Sequence, residues 1–269
     1  THLCLVTGEY GIITRLHSKI KLKISKDASP LISFQKNSGY DSYGKEQGYN
    51  APINEQAEFA YSTALNHLAS NERNNYQVCN RAYIFWASSN NAAAQKTEES
   101  LFDLLGFVDD DEKDDPNSRI ENVREVFKSI NTGKIRSTLD DKFYILGLTL
   151  NAHRQVVTYW SETSLRNFAE KILRHFDDMD IGKSKRSYMG LNDMLGAVTL
   201  SKKHTDAAPN LSDAVAKSIF LGYPYPHSLF SVAIRRIRAE QNVTYYGGPC
   251  RIAIIKAYLN RLNDNNKKI

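Results

Sequence analysis

The sequence predicts an α+β fold, mainly an antiparallel sheet with packed helices, followed by an all-α C-terminal segment. Three observations carry this. Phe143-Tyr144-Ile145-Leu146-Gly147-Leu148 and Gln155-Val156-Val157-Thr158-Tyr159-Trp160 are two β-branched and aromatic runs parted only by a short polar stretch, the pattern of an antiparallel hairpin. Leu165, Phe168, Ala169, Ile172, Leu173 and Phe176 then follow the 3.6-residue period of an amphipathic helix. From Leu211 onward helical patterns recur, the first two parted by the breaker Gly222-Tyr223-Pro224-Tyr225-Pro226.

In chain order, Lys19, Lys21 and Lys23 alternate with Ile20, Leu22 and Ile24, which predicts a half-buried strand with three ammonium groups on one face. Leu31 to Phe34 is a second short strand candidate. A loop from Gln35 to Pro52 follows, with glycines at 39, 44 and 48 and tyrosines at 40, 43 and 49. Asn54 is placed to cap a helix ending near Ser70, with Ala57, Tyr61, Ala64, Leu65 and Leu68 on its inner stripe. Tyr83-Ile84-Phe85-Trp86-Ala87 reads as a buried central strand. Ser88 to Glu99 reads as a polar connection, Leu101 to Val108 as a turn or two of helix, and Ile120 to Ile130 as a helix with Val123, Val126 and Phe127 inward. The acidic run from Asp109 to Asp115 is a solvated loop. Ser161 or Ser164 starts the helix after the hairpin. The C-terminal region resolves into a helix from Leu211, a second from Ser228 to about Gln241 and a third from about Arg251 to Leu262. Two regions result: an α+β domain over 1–205 containing the 35–52 loop, and a helical segment over 206–269. Lys183 to Arg186 and Lys202 to His204 read as loop or linker.

A length of 269 residues suffices for a sizeable core, and the formal net charge of +5 tolerates a polyanionic partner without identifying one. Its distribution says more: Ala214 to Arg261 carries seven Lys or Arg against the single Glu240. Cys4, Cys79 and Cys250 are far apart and lack Cys-x-x-Cys spacing, so neither a disulfide framework nor a zinc site is indicated, and a reducing cytoplasm fits. No apolar stretch approaches the ~20 residues needed to span a bilayer. The chain opens at Thr1 and runs straight into Leu3-Cys4-Leu5-Val6, as a piece of a longer protein would.

No P-loop, nucleophile elbow or dinucleotide fingerprint occurs, so no cofactor, metal or catalytic residue is expected. The strongest functional signal is the loop. Tyr43 offers a stacking face, Lys45 a phosphate contact, and Gln47 or Asn50 a base-edge contact, the composition of a nucleic-acid loop, although ordinary surface loops share it. Lys19, Lys21 and Lys23 suit a phosphate track or the guard of an exposed edge strand. Arg235, Arg236 and Arg238 suit a phosphate, an acidic neighbour or a solvated helix face, with Leu229, Val232, Ala233 and Ile237 toward the core. Arg154 at the hairpin end is a binding candidate beside His153. His175-Phe176-Asp177-Asp178-Met179-Asp180 has the residue types of a metal site, but reads better as a solvated helix end.

Four segments resemble the large subunit of the type I-C CRISPR surveillance complex (Cascade). They are Cys4 to Glu9 (CLVTGE), Gly44 to Asn66, Phe143 to Trp160 (FYILGLTLNAHRQVVTYW) and Leu221 to Arg261, the Gly44 to Asn66 run being the most specific. The resemblance implies a non-catalytic subunit that helps recognise a short protospacer-adjacent motif in double-stranded target DNA and supports strand opening. It also implies work alongside the guide RNA complex and other Cascade subunits, and recruitment of a helicase-nuclease. At the hairpin end related sequences read Leu-x-Pro-Asn-Ala-Ala-Arg, where this chain has Leu148-Thr149-Leu150-Asn151-Ala152-His153-Arg154. A structural scaffold without direct DNA contact, and a metal-dependent nuclease through His175 and Asp177, are the competing readings.

Overall fold

The computed structural model describes residues 1–39, 43–71, 74–88, 142–182, 189–241, 243 and 248–266. The predicted connection from 89, the helices over 101–108 and 120–130, the acidic run, Tyr40 and the 183–186 stretch lie outside them. The chain divides into two compact units: Thr1–Trp86 with Ile145–Trp160, and Ala87–Tyr144 with Ser161–Ile269. Residue 205, where the helical segment was expected to begin, falls inside the second.

The first unit opens with two small antiparallel pairs, β1 (His2–Leu3) with β2 (Tyr10–Gly11), and β3 (Lys19–Ile20) with β4 (Ser29–Pro30). Helix α1 (Glu55–Ser70) follows, and then a four-stranded sheet in the order β5 (Asn75–Val78), β6 (Arg81–Ala87), β7 (Lys142–Asn151), β8 (Arg154–Ser164). The outer ends of β7 and β8, 142–144 and 161–164, are counted with the second unit. β7 and β8 are joined by a two-residue turn in which Ala152 has φ 53°, as the hairpin reading predicts. Leu150, at the hairpin end, lies within β7. A proline there would remove a backbone donor from the strand.

Ala82 and Ile84 of β6 and Leu146 and Leu148 of β7 share one face of the sheet by the period of two. They form a core with Ile20, Leu22, Leu65 and Ala69. Tyr83 lies on the opposite face, its ring 6.4 Å from those of both Tyr76 and Tyr159. β6 is therefore apolar without alternation because it is an inner strand buried on both faces.

The predicted strand over 18–25 keeps its two-residue alternation, with Ile20 and Leu22 fully buried and the three lysines outward. Its ladder is much shorter than expected, and no strand forms over 31–34. Pro30 carries no N–H, and the 18–21 backbone is satisfied by side chains instead. Glu58 accepts from the Ser18 N–H at 2.7 Å, Asn66 accepts from the Lys21 N–H and donates to the Lys19 carbonyl, and Gln155 donates to the Ile20 carbonyl. This explains the one shift in α1. Its buried residues are Glu58, Ser62, Leu65 and Ala69, while Ala64 is exposed, because polar side chains on the inner stripe hold an extended backbone.

Asn54 caps α1 as predicted, accepting from the Ala57 N–H at 2.8 Å, and its backbone N–H donates to the Cys4 sulfur at 3.3 Å. Asn54→Ala is expected to cost about 1–2 kcal/mol by loss of the cap. Urea titration read by far-ultraviolet circular dichroism checks it, and an unchanged midpoint would show the cap to be dispensable.

In the second unit, Ser164 caps α2 (Leu165–Met179) by accepting from the Asn167 N–H at 3.2 Å, which decides between the two serines. After it come α3 (Leu191–Val198), a 3-10 turn over His204–Asp206, α4 (Pro209–Leu221), α5 (His227–Glu240) and α6 (Gly248–Asn266). Every described element after β8 is thus helical, from Leu165 onward. Gly222 ends α4 with φ 73°, a left-handed conformation that costs glycine nothing, and Pro226 precedes α5. α6 contacts α2, α3 and α5, so its surroundings are protein along most of its length.

Candidate nucleic-acid interface

The 35–52 loop has an exposed tip and a locked base. Tyr43 is 91% exposed, and Lys45 is exposed beside it. The base is a 3-10 turn over Gln47–Asn50. Asn50 ties it from within, its amide nitrogen donating to the Lys45 carbonyl at 3.2 Å and to the Gln47 carbonyl at 3.0 Å. Asn50 therefore holds the turn together, and its donor is already committed. The Gly48 N–H donates to the Arg15 carbonyl at 3.0 Å. A glycine in a polar loop can serve the close approach of a ligand. The approach is instead to the chain itself, since a Cβ there would lie 2.3 Å from the Thr14 carbonyl oxygen and 2.7 Å from that of Arg15.

Side chains brace the same base. Arg15 donates to the Gln47 side-chain oxygen, and Lys36 pairs with Glu46 at 2.8 Å, with Arg15 3.8 Å from the same carboxylate. Glu46, the acidic residue next to Lys45, is thereby paired within the base of the loop. Tyr49 is half-buried, edge-on to His2 at 5.9 Å. Arg15 and Lys36 were missed from the sequence, because the Arg15–Gln47 contact joins residues 32 apart that no local pattern links.

The other sequence-derived residues differ in their freedom. Lys19, Lys21 and Lys23 share an exposed side, but the Lys21 ammonium donates to the Ser25 and Lys26 carbonyls, and Lys23 too has a partner. Arg154 is half-buried and engaged. On α5, Arg235 and Arg238 are exposed one turn apart, and neither forms an ion pair among the described residues. Arg236 instead bonds Glu240 within the protein. Leu229 and Ala233 are buried as expected, while Val232 and Ile237 are only half-buried.

The basic C-terminal region is less available than its sequence suggests. Arg251 is fully buried, donating to the Ala197 carbonyl at 2.6 Å and, with both terminal nitrogens, to Glu240 at 2.6 and 3.2 Å. This fork holds the Glu240 carboxyl below its usual range. Arg261, 2% exposed, bonds Asp178 at 2.6 Å and the Tyr223 carbonyl at 2.6 Å, and lies 4.2 Å over the Tyr225 ring.

The His175–Asp180 stretch is a helix end solvated only in part: Asp177 and Asp180 are exposed as expected, whereas His175 and Asp178 are buried. His175 sits 2.8 Å from the Tyr225 hydroxyl through Nδ1 and 3.0 Å from the Met189 carbonyl through Nε2. The carbonyl can only accept, so Nε2 carries the proton and Nδ1 accepts from the tyrosine. Both nitrogens are satisfied in the core, which leaves none for a metal or a phosphodiester. Among the described residues no group of three or more His, Cys, Asp or Glu could hold a metal ion, and no helix is long and apolar enough to cross a membrane.

Burial, reinforced by the Arg261 charge, lowers the His175 pKa to about 3. In the unfolded chain it titrates near ~6.5. The unfolded state therefore takes up the proton first; stability is complete above the unfolded value and falls as pH drops toward the folded one. At pH 5 this group is expected to remove about 2 kcal/mol. Urea midpoints at pH 7.5 and 5.0 test it: His175→Gln should lose that acid sensitivity, and an identical pH response in the variant would refute the assignment.

No characterised protein matches the chain significantly. A family model, that of the CRISPR-associated protein (Cas_Csd1), matches residues 1–269. With the match extending over the exposed loop, the locked base beneath it and the helical unit alike, the chain belongs to the CRISPR-associated protein (Cas_Csd1) family.

Proposed function

We propose that this CRISPR-associated protein is a non-catalytic DNA-binding subunit of an RNA-guided surveillance complex, the type I-C Cascade large subunit that its sequence resembles. In this reading the loop helps recognise a short protospacer-adjacent motif in double-stranded target DNA and supports opening of the duplex beside it. Guide pairing reads the rest of the target, by analogy with other RNA-guided effectors. Its partners are the guide RNA complex, the other Cascade subunits and a helicase-nuclease recruited to the opened DNA, and its setting is the cytoplasm.

The observation that supports this most is the contrast between tip and base. A residue that parts a duplex has to keep its position while bases unstack against it. Tyr43 and Lys45 project beside a turn held by Gly48, Asn50, Arg15 and Lys36. An aromatic stack contributes ~1–3 kcal/mol and each neutralised phosphate steepens the salt response. In the assembled complex, Tyr43→Ala is expected to weaken binding of motif-bearing duplex roughly tenfold. Lys45→Ala should reduce the slope of log affinity against log salt by about 1. Unaltered affinity and slope in both variants would remove the loop from the DNA.

The scaffold reading is favoured by a different feature. Leu5, Val6, Tyr10, Ile12 and Leu16 are each at least 60% exposed within one short N-terminal stretch, apolar side chains that a neighbouring subunit could cover. Under that reading, substituting Tyr43 and Lys45 together leaves both assembly and DNA binding intact.

A further inference from the structure

We propose that Arg15 fixes the Gln47 side chain as a donor-only reader of a base edge, favouring guanine or thymine over cytosine at one motif position. This rests on the loop being a DNA contact. A free glutamine amide presents both an oxygen and an NH₂ group, and can contact adenine through both. Gln47 is not free: the Arg15 guanidinium donates to its oxygen. Since arginine has only donors, this contact sets the amide orientation, oxygen toward Arg15 and NH₂ away from it. Among the described residues that NH₂ group has no hydrogen-bond partner, and the side chain is partly exposed. A base donor approaching the oxygen would also meet the positive guanidinium.

The backbone points the same way. Gln47 has φ 48°, a left-handed conformation that disfavours a side-chain-bearing residue and that glycine would adopt freely. Asn50 holds the Gln47 carbonyl at 3.0 Å, and the neighbouring Gly48 N–H is held by the Arg15 carbonyl at 3.0 Å. Arg15 thus anchors the turn with its carbonyl and orients the amide with its guanidinium. In the major groove guanine offers N7 and O6 and thymine offers O4, all acceptors, whereas cytosine offers the N4 donor. A donor-only amide matches the first two and meets the third donor to donor. The bidentate adenine contact open to a free glutamine is disfavoured.

The test is selection from a duplex library randomised across the motif, using the assembled complex. Gln47→Glu replaces the outward donor by an acceptor while leaving an oxygen for Arg15, and is expected to shift one position toward cytosine by roughly tenfold. Gln47→Met removes the donor without adding charge and should flatten that same position, so a general loss of binding by the glutamate variant does not decide the matter. Arg15→Ala should broaden preference there by releasing the amide. If Gln47→Glu and Gln47→Met both retain the wild-type preference at every position while Tyr43→Ala and Lys45→Ala still weaken binding, the DNA-contact reading stands and this inference fails. If none of these variants alters binding or preference, the DNA-contact reading itself fails.

Discussion

Arg261→Ala is expected to destabilise the helical unit by about 3–5 kcal/mol, the largest effect of any single substitution considered. The guanidinium joins α6 to Asp178 of α2 at 2.6 Å and to the Tyr223 carbonyl at 2.6 Å, and covers the Tyr225 ring. Truncation leaves the buried Asp178 carboxylate and a carbonyl without their donor, and stranding a buried charge costs far more than the intact pair contributes. The distinction is measurable. Replacing both partners with leucine should recover most of the loss, because the pair's attraction is largely cancelled by its desolvation. Urea unfolding of the wild type, Arg261→Leu, Asp178→Leu and the double variant supplies the coupling. A loss below about 1 kcal/mol in Arg261→Ala would mean that water reaches Asp178 and that the site is open. Arg261→Ala should also leave the salt dependence of DNA binding unchanged wherever the variant remains folded, since this cation is interior.

Gly48→Ala is the second large effect, and it acts on the loop. The added methyl would lie 2.3 Å from one backbone oxygen and 2.7 Å from another, and neither can rotate away as a side-chain end would. Overpacking of this kind costs typically 1–3 kcal/mol, with ~3 kcal/mol expected here because both obstacles are main chain. The turn is expected to lift from the 14–15 segment, breaking the Gly48–Arg15 hydrogen bond and displacing Gln47 from Arg15. Amide hydrogen exchange across 43–51 should accelerate markedly while α1 stays protected, and affinity for motif-bearing duplex should fall with it. Unchanged exchange in the loop would show that the close approach is not what holds it.

The two effects mark a boundary in what was legible from the sequence. The β7–β8 hairpin, the capped α1, the inner strand β6 and the α2 stripe were readable because each rests on a period, a cap or a breaker within a few residues. The short β3–β4 ladder was not, because Glu58, Asn66 and Gln155 replace strand partners from distant segments. Within the loop, the exposed residues Tyr43 and Lys45 were identifiable by type. The use of Gly48 and the commitment of Asn50 were not, since a glycine that admits a ligand and one that admits its own backbone read alike.

By itself the sequence determined the α+β class, the hairpin, the inner strand and most of the described helices, because backbone preferences and apolar periodicity are local properties. Only the tertiary structure decided which charges remain available. Arg251 and Arg261 are spent inside the helical unit, Arg236 is held by Glu240, and Arg15 is bonded to the Gln47 side-chain oxygen. The physical reason is that a charge's role depends on what desolvates and pairs it. For Arg261 that partner is 83 residues away in the chain and 2.6 Å away in space.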